Sequence, residues 1–402
     1  MGEDDGPPPD VELLDFGAKR SLGDILHVQR WPKWLPIALA GLAVAAVIAI
    51  VVTTRGPSTT PKAQPPPTSS TSSLTRATAE LPDGPVATTR TVVVTRLGRS
   101  LPGEQGYALF ARGPGVVVRV ELGRGLVTRA AVPALASSGP VTFVAGASWS
   151  LVRPIDFVPG YLIRDGQPAR EAPGTLDLGG PAYPGPDPDT AWIQTGGDRR
   201  DRMVLVRMNG RRTGVTIPVP AGSSPLAAVS DQVGFLIFST NSGSYDVSLS
   251  GARRITTGTL RAVGPTRWLA TECQGATRCR TVVIDRSGGA RHTLPIRIDP
   301  ADADPGVISP DGTHAALLVR SPRLAIDDVD LTTGAQHVLE LPVHPTDDGG
   351  ALIWSPDSRW LFTTYANGNL YAAGARSHQL INLSPAIGAG QPLNQLAIPT
   401  TP

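Results

Sequence analysis

Glycine-containing turns recur along most of this chain at nearly constant spacing, each after a short β-rich strand of the kind VVIDRSG. They fall at Gly125, Gly166, Gly210, Gly251, Gly288, Gly334 and Gly374, at intervals of 41, 44, 41, 37, 46 and 40 residues. A period held in the ~40–45 range is that of one four-stranded propeller blade. Around these turns lie runs such as TVVVTR (91–96), GVVVRVEL (115–122), GFLIFST (234–240) and AALLVR (315–320), separated by Gly, Pro and Asp, with no convincing amphipathic helix among them. Short β-branched runs bounded by turn residues read as strands. A sandwich or a lipocalin-like barrel does not keep one period over this length, and a parallel β-helix repeats at much shorter intervals. The expected fold is all-β, a seven-bladed propeller of four-stranded blades over residues 91–390. The strand at Thr91–Arg96 is expected to close the ring beside Leu380–Leu383, leaving 391–402 as a C-terminal tail.

The sharpest copies of the repeat lie late in the chain, ISPDGTHAALLVRSPRLAIDDVDLTTG (308–334) and WSPDSRWLFTTYANGNLYAAG (354–374). Both resemble the WD40-like or TolB-like propeller repeat, in which Ser-Pro-Asp-Gly precedes a hydrophobic strand and a second strand ends in Asp and Gly. Pro and Asp pre-set a tight turn, and a small residue follows where bulk would clash. VSDQVGFLIFSTNSGSYDVSLSGARRIT (229–256) is a fainter copy without the proline, and Pro188-Asp189 is read as the same turn. The resemblance covers about half of the region after residue 91 well, and it implies a propeller.

Ahead of the repeats, Leu35–Val52 (LPIALAGLAVAAVIAIVV) holds no charged or polar side chain. Such a run approaches the ~20 apolar residues a transmembrane helix needs, and Trp31 and Trp34 stand where interfacial rings are favoured. Lys19, Arg20, Arg30 and Lys33 precede it, against Arg55 and Lys62 after it. The positive-inside rule then places the N-terminus in the cytoplasm. A cleaved signal peptide fits poorly, since a long acidic tail precedes the run and no A-x-A site ends it. The expected order is a cytoplasmic tail (1–33), a single-pass helix (34–54), a Pro/Ser/Thr-rich linker (55–90) and an extracytoplasmic propeller. The linker is too poor in apolar residues to offset its ordering entropy. Lysine occurs only at 19, 33 and 62, and heavy Ala, Gly and Pro use suggests a high-GC genome of the actinobacterial type.

Catalytic motifs are missing. There is no G-x-S-x-G, H-E-x-x-H, P-loop or dinucleotide fingerprint, so no enzyme and no cofactor is expected. The six histidines (27, 292, 314, 337, 344, 378) are scattered singly and read as surface or packing residues. A net charge of +2 offers no case for nucleic acid. Cys273 and Cys279 lie in the exported part, where a pair at hairpin spacing favours a disulfide. Two thiolates with no nearby His or further Cys cannot complete a zinc site, so no metal is expected.

Propellers bind through the loops at the mouth of their channel. Asp299, Asp302 and Asp304 (DPADADPG) and Asp347 and Asp348 (HPTDDGG) are assigned to successive loops of one face, an acidic patch suited to a cation or basic ligand. Arg199, Arg200 and Arg202 (GGDRRDR) are assigned to the same face and suit an anionic polymer or lipid headgroup. The functional expectation is a membrane-tethered binding or scaffolding module for an envelope protein or glycan. Two rivals stand beside it. One is a signalling protein read through an amphipathic tail with Leu22, Ile25, Leu26 and Val28. The other is a propeller hydrolase or lyase, which would need paired carboxylates of unequal pKa. Nothing in the sequence sets an oligomeric state.

Overall fold

The computed structural model describes residues 92–96 and 107–399, except 134–140, 148, 156–159, 165–166, 174–179, 196–201, 221, 224–227, 231–233, 235, 276–277, 297, 299–305, 320–324, 341–350, 365–367, 378 and 388–391. Twenty-nine strands appear there in chain order. The first group is β1 (Val92–Arg96), β2 (Ala108–Gly113), β3 (Val116–Glu121) and β4 (Leu126–Ala131). Next come β5 (Val141–Ala145), β6 (Trp149–Pro154), β7 (Tyr161–Arg164) and β8 (Arg170–Glu171). They are followed by β9 (Ala182–Pro184), β10 (Thr190–Thr195), β11 (Arg202–Arg207) and β12 (Arg212–Pro218). Then β13 (Ala228–Ser230), β14 (Leu236–Thr240), β15 (Gly243–Ser248) and β16 (Gly251–Thr256) form one sheet in sequence order. A longer run holds β17 (Thr259–Val263), β18 (Arg267–Gln274), β19 (Arg278–Asp285), β20 (Arg291–Leu294), β21 (Gly306–Ile308), β22 (His314–Val319), β23 (Ala325–Asp330) and β24 (Gln336–Glu340). The chain ends in β25 (Leu352–Trp354), β26 (Trp360–Thr364), β27 (Leu370–Gly374), β28 (Leu380–Asn382), a helical turn α1 (Ser384–Ile387) and β29 (Gln395–Ala397).

Seven separate four-stranded blades, the expectation from the repeat, are not what the hydrogen bonding produces. Among the described residues five sheets are of blade size, four with four strands and one with five, and a sixth is a continuous sheet of eight. The merger has a local cause. β17 and β21 pair in parallel through Ala262↔Gly306 and Val263↔Val307, joining two antiparallel meanders. A small residue permits the approach: a Cβ on Gly264, just after β17, would lie 2.6 Å from Ile308 Cβ of β21, while one on Gly306 would lie 2.2 Å from the Ala316 carbonyl oxygen of β22, the other neighbour of β21. The expectation of a preceding transmembrane helix also finds no counterpart in the structure. Among the described residues α1 is the only helix, and none is long and apolar enough to cross a membrane; positions 1–91, with the expected tail, span and linker, lie outside the described residues.

The sheets form a closed ring. Hydrophobic clusters lie between successive sheets, and one that includes Leu109, Val118 and Leu122 of the first group with Phe362, Leu370 and Ala372 of the last completes the circuit. Closure runs opposite to the expectation. β1 pairs with β4 at the outer edge of the five-stranded sheet, whereas β29, from the stretch expected to be a tail, becomes that sheet's innermost strand through Phe110↔Ala397 and Arg112↔Gln395. The β29 segment is held by Asn394 N–H to Arg112 O at 2.8 Å and Leu393 N–H to Gly368 O at 3.0 Å. Buried Leu393 and Ile398 insert into the closing cluster. Full burial of such side chains stabilises by about 1.5–3 kcal/mol each, so a three-residue strand suffices. The fold is a β-propeller closed by its C-terminal strand.

The repeated Ser-Pro-Asp turn is visible atom by atom. Asp311 Oδ1 accepts from Ser309 Oγ (2.6 Å) and Thr313 N (3.0 Å), while Ser309 Oγ accepts from His314 N (3.0 Å). Asp357 and Ser355 repeat this with Arg359 N (3.1 Å) and Trp360 N (2.9 Å). Gly312 takes φ +72°, and Ser358 takes φ +60° at the matching position, where its Oγ accepts the Asp311 N–H of the neighbouring turn at 3.0 Å. The earlier copy is shifted from where the sequence reading put it. Ser309 N–H bonds His314 O, and Gly185 N–H bonds Thr190 O in the same manner, so Pro186-Asp187 rather than Pro188-Asp189 occupies the turn.

Candidate functional site

A cleft of about 1050 Å³ opens on the flank of the ring, between β16 and the outer part of β18–β20. Arg253 and Arg254 come from β16, and Arg278, Arg280 and Arg291 from β19 and β20, whereas Glu272 is the one carboxylate lining it among the described residues. The positions follow from strand physics. Along the β18–β19 hairpin, Gln274↔Arg278 and Glu272↔Arg280 are cross-strand pairs separated by the Cys273↔Cys279 rung. Side chains alternate faces with period two, so both polar pairs share one face. On β16 the pairing to β15 skips Ile255, with Tyr245↔Arg254 followed by Ser244↔Thr256. A bulge of this kind re-aims neighbouring side chains at a sheet edge.

The arginines are organised. Asp246, largely buried, takes Arg286 Nη2 on Oδ1 at 2.8 Å and Arg253 Nη2 on Oδ2 at 3.4 Å. Both guanidinium groups stand near the Trp268 ring, 5.5 Å from its centroid for Arg253 and 5.6 Å for Arg286. Trp268 is itself buried, so arginines rather than the indole meet solvent. Arg253 also donates to Arg286 O at 2.6 Å. Deeper along the cleft, Arg291 donates to Ile255 O at 2.7 Å and to Glu272 Oε1, and Thr256 Oγ1 and Arg280 Nη2 donate to Glu272 at 2.9 and 3.0 Å. Burial alone would raise the Glu272 pKa, but the hydrogen bonds from Thr256, Arg280 and Arg291 and the Arg291 charge outweigh it and hold the carboxyl below its ordinary value. Glu272 is thus an ionised structural partner, with its oxygens spoken for. Arg278 makes no ion pair among the described residues and is exposed.

Of the residues singled out from sequence, Cys273 and Cys279 are joined as a disulfide across the hairpin tip, with Cα atoms 4.0 Å apart, and both line the cleft. Arg202 is the exposed first residue of β11 and does not line it. Arg199, Arg200, Asp299, Asp302, Asp304, Asp347 and Asp348 lie outside the described residues. His292 and His314 are each tied locally, His292 Nε2 lying 2.7 Å from Leu331 O and His314 Nδ1 3.1 Å from Asp328. The Asp328 hydrogen bond raises the His314 pKa against desolvation. No group of three or more His, Cys, Asp or Glu able to hold a metal ion occurs among the described residues. The five cleft arginines lie on strands β16, β19 and β20 rather than on the channel-mouth loops expected to bind. Their only signal was the unbroken Arg253-Arg254 pair and the Arg278-Cys279-Arg280 triplet on strands of adjacent repeats.

No protein-family model matches the chain, and no curated protein matches it by sequence. Among solved structures, apo AztD from Citrobacter koseri is similar with 15% identity and a TM-score of 0.41, over 76% of this chain and 88% of that one. TolB from Acinetobacter baumannii gives 14% and 0.38, over 73% and 66%. A putative 6-phosphogluconolactonase from Bacteroides uniformis gives 12% and 0.45, over 74% and 99%. The propeller assignment rests on the strand order and ring closure of this chain.

Proposed function

We propose that this protein is a non-catalytic binding module, an extracytoplasmic propeller that takes an anionic ligand of the cell envelope in its arginine-lined cleft. The observation that carries this is five guanidinium groups around one cleft with, among the described residues, a single, internally satisfied carboxylate. Guanidinium forks match carboxylate and phosphate oxygens in bidentate geometry, which favours this chemistry over a neutral ligand. Glycosidic chemistry would need two carboxyl groups pushed to different pKa values across the site, and among the described residues the cleft offers Glu272 alone. The exported location is supported by the disulfide, which suits an oxidising compartment. The uncharged Leu35–Val52 run with its basic N-terminal flank supports a membrane tether.

Inorganic tripolyphosphate added to the detergent-purified full chain tests the anion reading by thermal shift. A ligand at 100 times its Kd stabilises by about 2.7 kcal/mol, so a dose-dependent rise in Tm is expected, reduced in an R253A/R254A variant. A flat Tm, or an equal rise in that variant, overturns the cleft as the site.

A further inference from the structure

The form of the cleft narrows the ligand further, on the proposal that it binds anions at all. The arginines are strung out along its length. Arg253 reaches the Arg286 carbonyl beside the β19–β20 turn, where Gly288 and Gly289 also line the wall. Arg291 and Arg280 meet over Glu272 in the middle, and Arg278 stands at the disulfide-bonded tip. The strand from Arg278 to Asp285 that forms one wall has eight residues, a span of about 24 Å at ~3.4 Å each. A lone phosphate or carboxylate meets one guanidinium fork or two and spans only a small part of this row. A volume near 1050 Å³ also stands at the upper end of the ~300–1,000 Å³ common for enclosed small-molecule pockets.

Single-stranded nucleic acid would add base stacking on exposed aromatic side chains to such a row of charges. Here the aromatic residues of the wall, Trp268 and Tyr245, are 1% and 4% exposed, and Arg253 and Arg286 lie near the indole. The wall otherwise presents guanidinium groups, of which Arg253, Arg280 and Arg291 are half-exposed and also paired with Asp246 or Glu272, and the hydroxyls of Thr257 and Thr259, which serve phosphate or carboxylate oxygens on a backbone without bases. We infer that the cleft holds an extended chain of repeating oxyanions, a phosphodiester or polycarboxylate polymer lying from the β19–β20 turn to the Cys273–Cys279 tip.

The test is a chain-length series on the detergent-purified full chain: orthophosphate, tripolyphosphate, long-chain polyphosphate, poly-glutamate and oligo-dT, each titrated at several salt concentrations. Affinity is expected to rise by at least about tenfold from tripolyphosphate to the long chain, with log K falling more steeply against log salt as more charges are met. R278A, at the exposed tip, should lower that slope by about 1 for the long chain. Preference for polyphosphate or for poly-glutamate tells a phosphate-bearing source from a carboxylate one, and either supports the inference. Orthophosphate or tripolyphosphate binding as tightly as the long chain leaves an anion cleft and overturns the polymer. Oligo-dT binding tighter than both base-free chains overturns it in favour of nucleic acid. Absence of binding by every anion overturns both this inference and the function on which it rests.

Discussion

The unit β17–β20 has a neighbour on each side, and its two junctions have been built in opposite ways. Toward β21–β24 the gap is shut. Gly264 lets the inner strands β17 and β21 pair, and Leu294, Ile298 and Leu331 fill the outer part with buried apolar groups. Gly334 there sits so near Pro295 that a Cβ would lie 2.9 Å from the ring. Toward β13–β16 the inner part is also apolar, with Ile237, Ile255, Val263 and Trp268, but the outer part carries Arg253, Arg254, Arg280 and Arg291. Long cationic side chains keep their heads in water and cannot be dehydrated cheaply, so this gap stays open. Blades splay apart with distance from the axis; whether the widening becomes core or a site depends on which side chains the outer strands carry.

Substituting Gly306 should break the closed junction most severely. The Cβ of G306V would meet the Ala316 carbonyl, and backbone cannot yield as a flexible side chain does. We expect a loss of about 3 kcal/mol, read as a lower urea midpoint. A cost under about 1 kcal/mol would mean that β21 can shift away from β22 without disturbing the junction.

On the open side, replacing both cysteines with serine removes a cross-link between residues six apart. For so short a loop the expected loss is about 2 kcal/mol. If the hairpin positions Arg278 and Arg280, the same variant should also bind anions more weakly at temperatures where it remains folded. Unaltered affinity would show that the cleft wall is set by the strands alone.

Glu272→Gln probes the one internal anion of the cleft. Its partners Arg280 and Arg291 are about half exposed, so the loss of stability should be modest, about 1 kcal/mol at neutral pH. The folded-state pKa of Glu272 lies below its ordinary 4.5. Its contribution is therefore present above about pH 4.5 and disappears as pH falls through the folded value. E272Q should lack that part of the acid sensitivity, and anion binding should tighten because a competing carboxylate charge is gone. An acid unfolding profile parallel to that of the parent protein would refute the role given to Glu272.

The smallest structural effect is expected at Arg278. Exposed and without an ion pair among the described residues, it should change stability by less than about 0.5 kcal/mol when replaced by Ala. A larger loss, measured by thermal melting, would mean that the arginine wall is part of the scaffold.

Much of the local architecture was legible in the chain itself. Of the periodic glycines, Gly125 lies between β3 and β4, Gly210 between β11 and β12, Gly288 between β19 and β20, and Gly334 between β23 and β24. Ser309-Pro310-Asp311 and Ser355-Pro356-Asp357 form the turns their residues encode, and Cys273 and Cys279 bond across the hairpin that their spacing implied. Each of these depends on residues close in sequence. Hydrogen-bond geometry, φ preference and alternation of faces act over a few positions, so the residue types state the outcome.

Three features belong to the tertiary structure. The eight-stranded sheet arose because Gly306 paired with Ala262, 44 positions away, beside Gly264, where a side chain would meet Ile308. Closure went to Gln395–Ala397 rather than to the strand at residues 92–96, since Leu393 and Ile398 had a cluster to enter and Asn394 a carbonyl to meet. The candidate site, finally, assembled from β16, β18, β19 and β20 on the two sides of a junction. Sequence determines what each strand carries; only the ring decides which outer edges face each other, because that choice is made by the burial of apolar side chains far apart along the chain.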